Sequence, residues 1–406
     1  MILQLYRNAY AGLSRPVWLL AGVMLINRSG TMVLPFLSLY LTQHLHYSVE
    51  QAGIVLALFG MGSLLGTFLG GKLTDRIGFY AIQVGSLLFG GIMLILMQFI
   101  VRFEWLCVTV FIFTALGDAF RPANSAAFAF YSNQGNRTRA YSLNRLAINL
   151  GWAVGGGLGG LLASVDYRLL FWVDGLTCIS AALYLVYALP APKRDTSVHH
   201  ASDGTLAAAR SPYRDGLFLL FTACLFLYLT AFMQFFSLLP LYFKTYLGAN
   251  ESRIGLFMAL NGLLIVVVEM AMVYSLEQRV KQRLIISAVG ALLTGVALFI
   301  LTLTRWPGIA WLTIILLTVG EMLAMPFLLT FAANRSEERN RGQYLGLYSM
   351  GWALSQVCSP LIGSQVAERF GFQTLWMVML GFTIVSAAGF LLVNRRVSAD
   401  TTPVSQ

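Results

Sequence analysis

Gly117-Asp118-Ala119-Phe120-Arg121-Pro122-Ala123-Asn124 lies in the middle of an apolar run from Trp105 to Phe130. A run of that length crosses a bilayer as a helix, and a spacing of three puts Asp118 and Arg121 on one helix face. A charge in the hydrocarbon core costs about 3 kcal/mol or more, so such residues face protein or a water-filled path rather than lipid. A partner stretch begins 203 residues after Gly117: Gly320-Glu321-Met322-Leu323-Ala324-Met325-Pro326 again sets Gly, an acid and Pro inside an apolar helix. The chain therefore repeats itself.

Composition agrees with a membrane chain, since 58% of the 406 residues are hydrophobic and only 11% charged. The apolar runs are too long for the core helices of a soluble globule. A net charge of +10 would suggest nucleic acid in a soluble protein. Here the basic residues fall in short loops between apolar runs, so the charge reads as an orientation signal and no nucleic-acid partner is expected. The four cysteines lie in apolar segments without metal-ligand spacing and read as inert thiols. No metal and no cofactor is expected. Residues 1–15 read as a short polar segment rather than a cleavable signal peptide.

The pattern predicts an all-α polytopic membrane protein with twelve spans. Their centres fall near Ile26, Met61, Phe89, Leu116, Trp152, Ile179, Phe232, Leu264, Gly295, Val319, Ala353 and Thr383. Of 27 Lys and Arg, 18 fall in the terminal segments and even-numbered connections, 6 in the odd-numbered connections and 3 inside spans. That bias predicts both termini on the cytoplasmic side of the cell's inner membrane. The polar stretch after Pro190 falls almost halfway and reads as a linker. It divides the chain into a first six-helix bundle (1–190), a linker (191–213), a second bundle (214–396) and a tail (397–406). The paired His199-His200 in the linker has no further ligand nearby. The bundles match loosely at Leu34-Pro35 and Leu239-Pro240, at Gly53-Ile54 and Gly255-Leu256, and at Gly151-Trp152-Ala153 and Gly351-Trp352-Ala353. A parallel repeat of six spans implies two similar bundles related by an axis along the membrane normal.

Gly71-Lys72-Leu73-Thr74-Asp75-Arg76-Ile77-Gly78, between spans 2 and 3, resembles the signature loop of the major facilitator superfamily, and the resemblance covers essentially the whole chain. In that family the loop latches the two halves on the cytoplasmic side, which makes Gly71, Asp75, Arg76 and Gly78 the expected gating loop. Read physically, Gly71 and Gly78 permit a tight reversal, and Asp75 is expected to open span 3. Phe79 and Tyr80 replace the basic residues that usually follow the second Gly. Asn149-Leu150-Gly151-Trp152-Ala153-Val154-Gly155-Gly156-Gly157-Leu158-Gly159-Gly160 resembles the glycine-rich motif of the drug:proton antiporter branch, with Gly156 where that motif has Pro. Glycines on one face let this helix pack closely against another. The branch's intramembrane Arg would fall near Phe113, whereas this chain offers Arg121.

Charges inside the spans are then the candidates for chemistry. Proton coupling needs a buried carboxylate whose environment changes with conformation. Asp118, Glu321 and Glu269 are the candidates. Glu321 is the strongest, being near mid-span with no basic residue within a helical turn. The plainer readings are a permanent Asp118–Arg121 ion pair, a loop Arg partner for Glu269, and for Asp174 a capping role or a pair with Arg168. Arg28, Arg121, Arg145, Asn149, Trp152, Tyr348 and Trp352 are the candidate substrate contacts. Phe235, Phe236 and Met322 add adaptable apolar surface. The family resemblance implies a secondary transporter, and the branch implies proton-coupled export of small hydrophobic or cationic compounds by a monomer rocking around a central site. One rival is a proton-coupled carrier of peptides, amino acids or other zwitterions, weakened because Asn27-Arg28-Ser29-Gly30 lacks the acid-rich signature of oligopeptide importers. Another is a non-transporting sensor. No nucleotide-binding loop or nucleophile arrangement suggests an enzyme.

Overall fold

The computed structural model describes residues 12–133, 136–189, 211–280, 282–336 and 340–401. Most of the expected linker, including His199-His200, lies outside them. Among the described residues, eleven helices are long and apolar enough to cross a membrane. The last, Gln343–Val397, is interrupted at Gly371, whose φ of 83° and ψ of 163° are not helical. Twelve spans result. They are α1 (Arg15–His44), α2 (Val49–Ile77), α3 (Phe79–Met97), α4 (Phe103–Tyr131), α5 (Arg139–Val165) and α6 (Arg168–Ala188). The second half holds α7 (Gly216–Ser237), α8 (Glu251–Glu269), α9 (Arg283–Thr302) and α10 (Ile309–Arg335), followed by α11 (343–370) and α12 (372–397).

Local chemistry sets several boundaries. Pro16 sits in the first turn of α1, where its missing N–H costs nothing. Ser48 and Gln51 form a reciprocal capping box at the start of α2. The side chains of Asp215 and Asn250 cap α7 and α8. Gly78 ends α2 at a φ of +91°, a value a residue with a Cβ rarely adopts. Asp75 lies within the last turns of α2, so the expectation that it opens the third span is corrected: α3 starts only after Gly78. Gly71 likewise lies inside α2, with open space around it, and takes no part in the reversal. Phe79 packs on Phe130 and Tyr131 of α4, so an aromatic contact occupies the place of the missing basic residues.

Helical runs are interrupted inside α1, α4 and α7, the last between Phe232 and Gln234. The helical run of α1 stops at Gly30 and resumes at Val33. In α4 it stops at Asp118 and resumes at Phe120. Pro122 explains the second break, because its ring crowds the carbonyl four residues earlier, that of Asp118. A π-helical segment, Ile265–Glu269, ends α8.

The two halves meet along α5 and α8 and along α2 and α11. A Cβ at Gly160 would come within 2.6 Å of the Gly255 Cα, one at Gly262 within 2.8 Å of Ala153, and one at Gly60 within 2.8 Å of the Gln356 carbonyl. Gly156, standing where the motif has Pro, would meet Met258 of α8 at 2.6 Å. On the face away from the chain termini, polar links add to this closure. Glu368 accepts from the Val49 N–H, and the Tyr167 hydroxyl donates to Glu251, itself paired with Lys244. Toward the terminal face, Arg145 of α5 pairs with Glu269 of α8.

Candidate functional site

Between the halves lies a cavity of about 420 Å³. The first half contributes Arg28 from α1, Phe59 from α2, Arg121, Asn124 and Ser125 from α4, and Asn144 and Trp152 from α5. From the second half come Phe232, Met233, Phe236 and Ser237 of α7, Glu321 of α10, and Trp352 and Gln356 of α11. Trp152 and Phe236 meet across the middle with ring centroids 5.4 Å apart. The walls are thus mostly aromatic and apolar, with two guanidiniums on one side and one carboxylate on the other.

Each charge is held differently. Arg121 Nε donates to Asp118 Oδ1 at 2.9 Å, while the Arg121 side chain stays 43% exposed toward the cavity. Asp118 itself faces a smaller recess within the first half, also lined by Arg28 and Asp174. Glu321 Oε2 accepts at 3.1 Å from Asn261 Nδ2, an amide of α8 that also donates to Thr318 at 3.0 Å. No ion pair among the described residues includes Glu321. A carboxylate held only by a neutral amide is free to exchange a proton for a cationic partner, because neither state breaks a fixed salt bridge.

Amides extend the first-half wall. Gln83 Nε2 donates to Asn124 Oδ1 at 3.2 Å, and Asn124 Nδ2 donates to Asn144 Oδ1 at 3.3 Å. Such chains satisfy polar atoms that hydrocarbon cannot. Asp174 departs from its expected capping role. It is buried in α6 and accepts from the N–H groups of Met32 and Val33 at 3.2 and 3.3 Å, the donors freed where α1 breaks. Its other oxygen lies 3.8 Å from the Cys178 thiol, which Asn27 reaches at 3.4 Å.

The model of the Major Facilitator Superfamily matches residues 17–340 and 325–406. The chain belongs to the major facilitator superfamily. As a facilitator it is a multi-pass secondary transporter, and its relatives and fold neighbours are transporters rather than enzymes. It is 25% identical over 386 residues to an uncharacterized facilitator-type transporter, YttB, of Bacillus subtilis (strain 168), covering 93% of this chain and 94% of that one. A Na(+), Li(+), K(+)/H(+) antiporter of Planococcus maritimus is 23% identical, with 92% and 94% covered. The multidrug resistance protein MdtH of Proteus mirabilis (strain HI4320) is 25% identical, with 83% and 82% covered. Among solved structures, a POT family transporter in complex with 5-aminolevulinic acid superposes with a TM-score of 0.80 at 13% identity, covering 96% of this chain and 98% of that one. The nucleoside transporter NupG gives 0.77 at 13% identity, with 94% and 99% covered. These structures share the facilitator fold.

Of the residues singled out from sequence, Arg28, Arg121, Trp152, Trp352 and Glu321 line the facilitator's central cavity. Arg145 and Glu269 do not. They pair with each other, which replaces the loop Arg expected for Glu269. Asn149 is half-buried on α5 and does not line the cavity, and Tyr348 is buried behind the lining, against Trp352. Gly71, Asp75, Arg76 and Gly78 lie at the terminal end of α2, also away from it. Sequence reading passed over Asn124, Asn144, Asn261 and the latch role of Asp174. Amides inside apolar runs were the available signal, but their partners sit on other spans.

Proposed function

We propose that this facilitator exports small hydrophobic or cationic compounds in exchange for protons, by alternating access and as a monomer. Glu321 carries the reading: among the described residues it is the one carboxylate lining the central cavity, set in aromatic walls and held by the neutral Asn261. A proton and a cationic substrate compete for that carboxylate, so arrival of one displaces the other, and their movements become coupled in opposite directions. Trp152, Trp352, Phe236 and Met233 supply an apolar lining suited to varied organic bodies. Names of the relatives, a multidrug resistance protein and a cation/proton antiporter, support the same reading. The bias of Lys and Arg supports cytoplasmic termini in the inner membrane.

Proteoliposomes with an imposed pH gradient test this. Addition of the lipophilic cation tetraphenylphosphonium is expected to collapse the gradient at a rate that saturates with its concentration. A gradient untouched by lipophilic cations that nonetheless bind would contradict proton antiport.

A further inference from the structure

The central cavity also holds a guanidinium that no carboxylate of the described residues binds directly. Each other guanidinium considered for substrate contact is already engaged, Arg121 by Asp118 and Arg145 by Glu269. Arg28 has neither an ion pair nor a side-chain hydrogen bond among the described residues, and its Nε is buried without a partner. It lines the central cavity and the smaller recess behind it. The acids of that recess have their own commitments. Asp118 is bound by Arg121 through Oδ1 while its Oδ2 has no hydrogen-bond partner, and Asp174 receives two backbone N–H groups of α1.

This placement is built into the fold. The Arg28 turn is the last before α1 breaks, and Asp174 fixes the break on its far side. Behind Arg28 stands the glycine face of α5, where a Cβ at Gly151 would lie 2.4 Å from the Arg28 Cβ and one at Gly155 3.1 Å from its carbonyl oxygen. Only bare backbone allows α1 to sit there. An always-charged fork with five donors, half-buried at the cavity wall and without a side-chain hydrogen bond, matches a planar carboxylate in shape and sign.

We propose that Arg28 is a carboxylate-binding subsite, and that the transported class is amphoteric: an apolar body bearing a cationic group for Glu321 and a carboxylate for Arg28. The cationic half of this proposal rests on the export reading above. The carboxylate half does not, and the experiment separates them.

The probes are the dipeptide leucyl-phenylalanine and its C-terminal amide, which share one body and one amine and differ in the carboxylate alone. Binding is read from the fluorescence of the full-length protein, whose Trp152 and Trp352 line the cavity. The native protein is expected to bind the acid about tenfold or more tightly than the amide, the scale of one lost charge-assisted contact. Arg28→Gln is expected to remove that preference by weakening the acid while leaving the amide unchanged, and Arg28→Lys to retain part of it. Equal binding of both probes by the native protein, no binding of either, or an acid preference that survives in Arg28→Gln would each overturn the subsite. Should Arg28→Gln fail to fold, the native comparison and Arg28→Lys still decide. Failure of the export reading appears elsewhere, as a pH gradient that tetraphenylphosphonium, which has no carboxylate, leaves untouched.

Discussion

Asp118 of α4 and Glu321 of α10 occupy matching places in the two halves, each following a Gly and preceding a Pro, yet their surroundings differ. Asp118 has a cation three residues along its own helix, and the helix breaks directly after it. Glu321 sits in a continuous helix, and its partner is an amide from α8. Duplication supplied one architecture, and a single basic side chain separates an acid engaged in a local pair from one able to change partners. The same contrast runs through the cavity, whose first-half wall carries the guanidiniums and whose second-half wall carries the carboxylate.

The largest effect should come from removing the exchangeable acid. Glu321→Gln is expected to reduce gradient-driven transport to the level of empty vesicles while substrate exchange at equal pH continues. Retained driven transport would mean that the two acids do not differ as described. A subtler way to break the contrast is to give Glu321 the neighbour that Asp118 has. Met325→Arg places a cation one turn on, and driven flux is expected to fall about twofold or more, since even an exposed i,i+4 pair is worth about 0.3–0.5 kcal/mol. The α4 pair itself should matter less. With Arg121 43% exposed, Asp118→Asn is expected to cost about 1 kcal/mol in thermal stability. The double change Asp118→Asn with Arg121→Gln should recover most of it, and a double variant no better than either single one would contradict a mutual pair.

The smallest effect lies outside the spans. Burial alone would raise the Asp215 carboxyl, but hydrogen bonds from Arg335, from the Phe218 N–H and from Tyr344 outweigh it and hold the group below its ordinary value. Its stabilising contribution is therefore complete above the unfolded carboxyl's pKa of about 4 and lost as pH falls through the lower folded value. Thermal melts below pH 4 should show this loss, and Asp215→Asn should flatten that part of the profile.

Much of this was legible in the chain, because hydrocarbon permits few solutions. Long apolar runs must be helices, which yielded the all-helical class and the twelve spans. The isolation of Glu321 could be read from its own helix. What could not be read depends on which spans touch. Arg145 and Glu269 were each visible as intramembrane charges, but their pairing across 124 residues follows from α5 meeting α8 through glycine. Pro35 marks the break in α1 just as Pro122 marks the one after Asp118, but that Asp174 secures it could not be read, because the N–H groups it accepts from lie on another span. Asp75 was displaced by a few residues because only Gly78, and not Gly71, makes the reversal.

Proton release on substrate binding tests the role of Glu321 most directly. Purified protein in weakly buffered detergent solution near neutral pH is mixed with tetraphenylphosphonium, and the bulk pH is recorded together with binding. The native protein is expected to release protons in proportion to the cation bound, and Glu321→Gln to bind without releasing any. Binding by the native protein with no proton release, or release that persists unchanged in Glu321→Gln, would contradict the assignment.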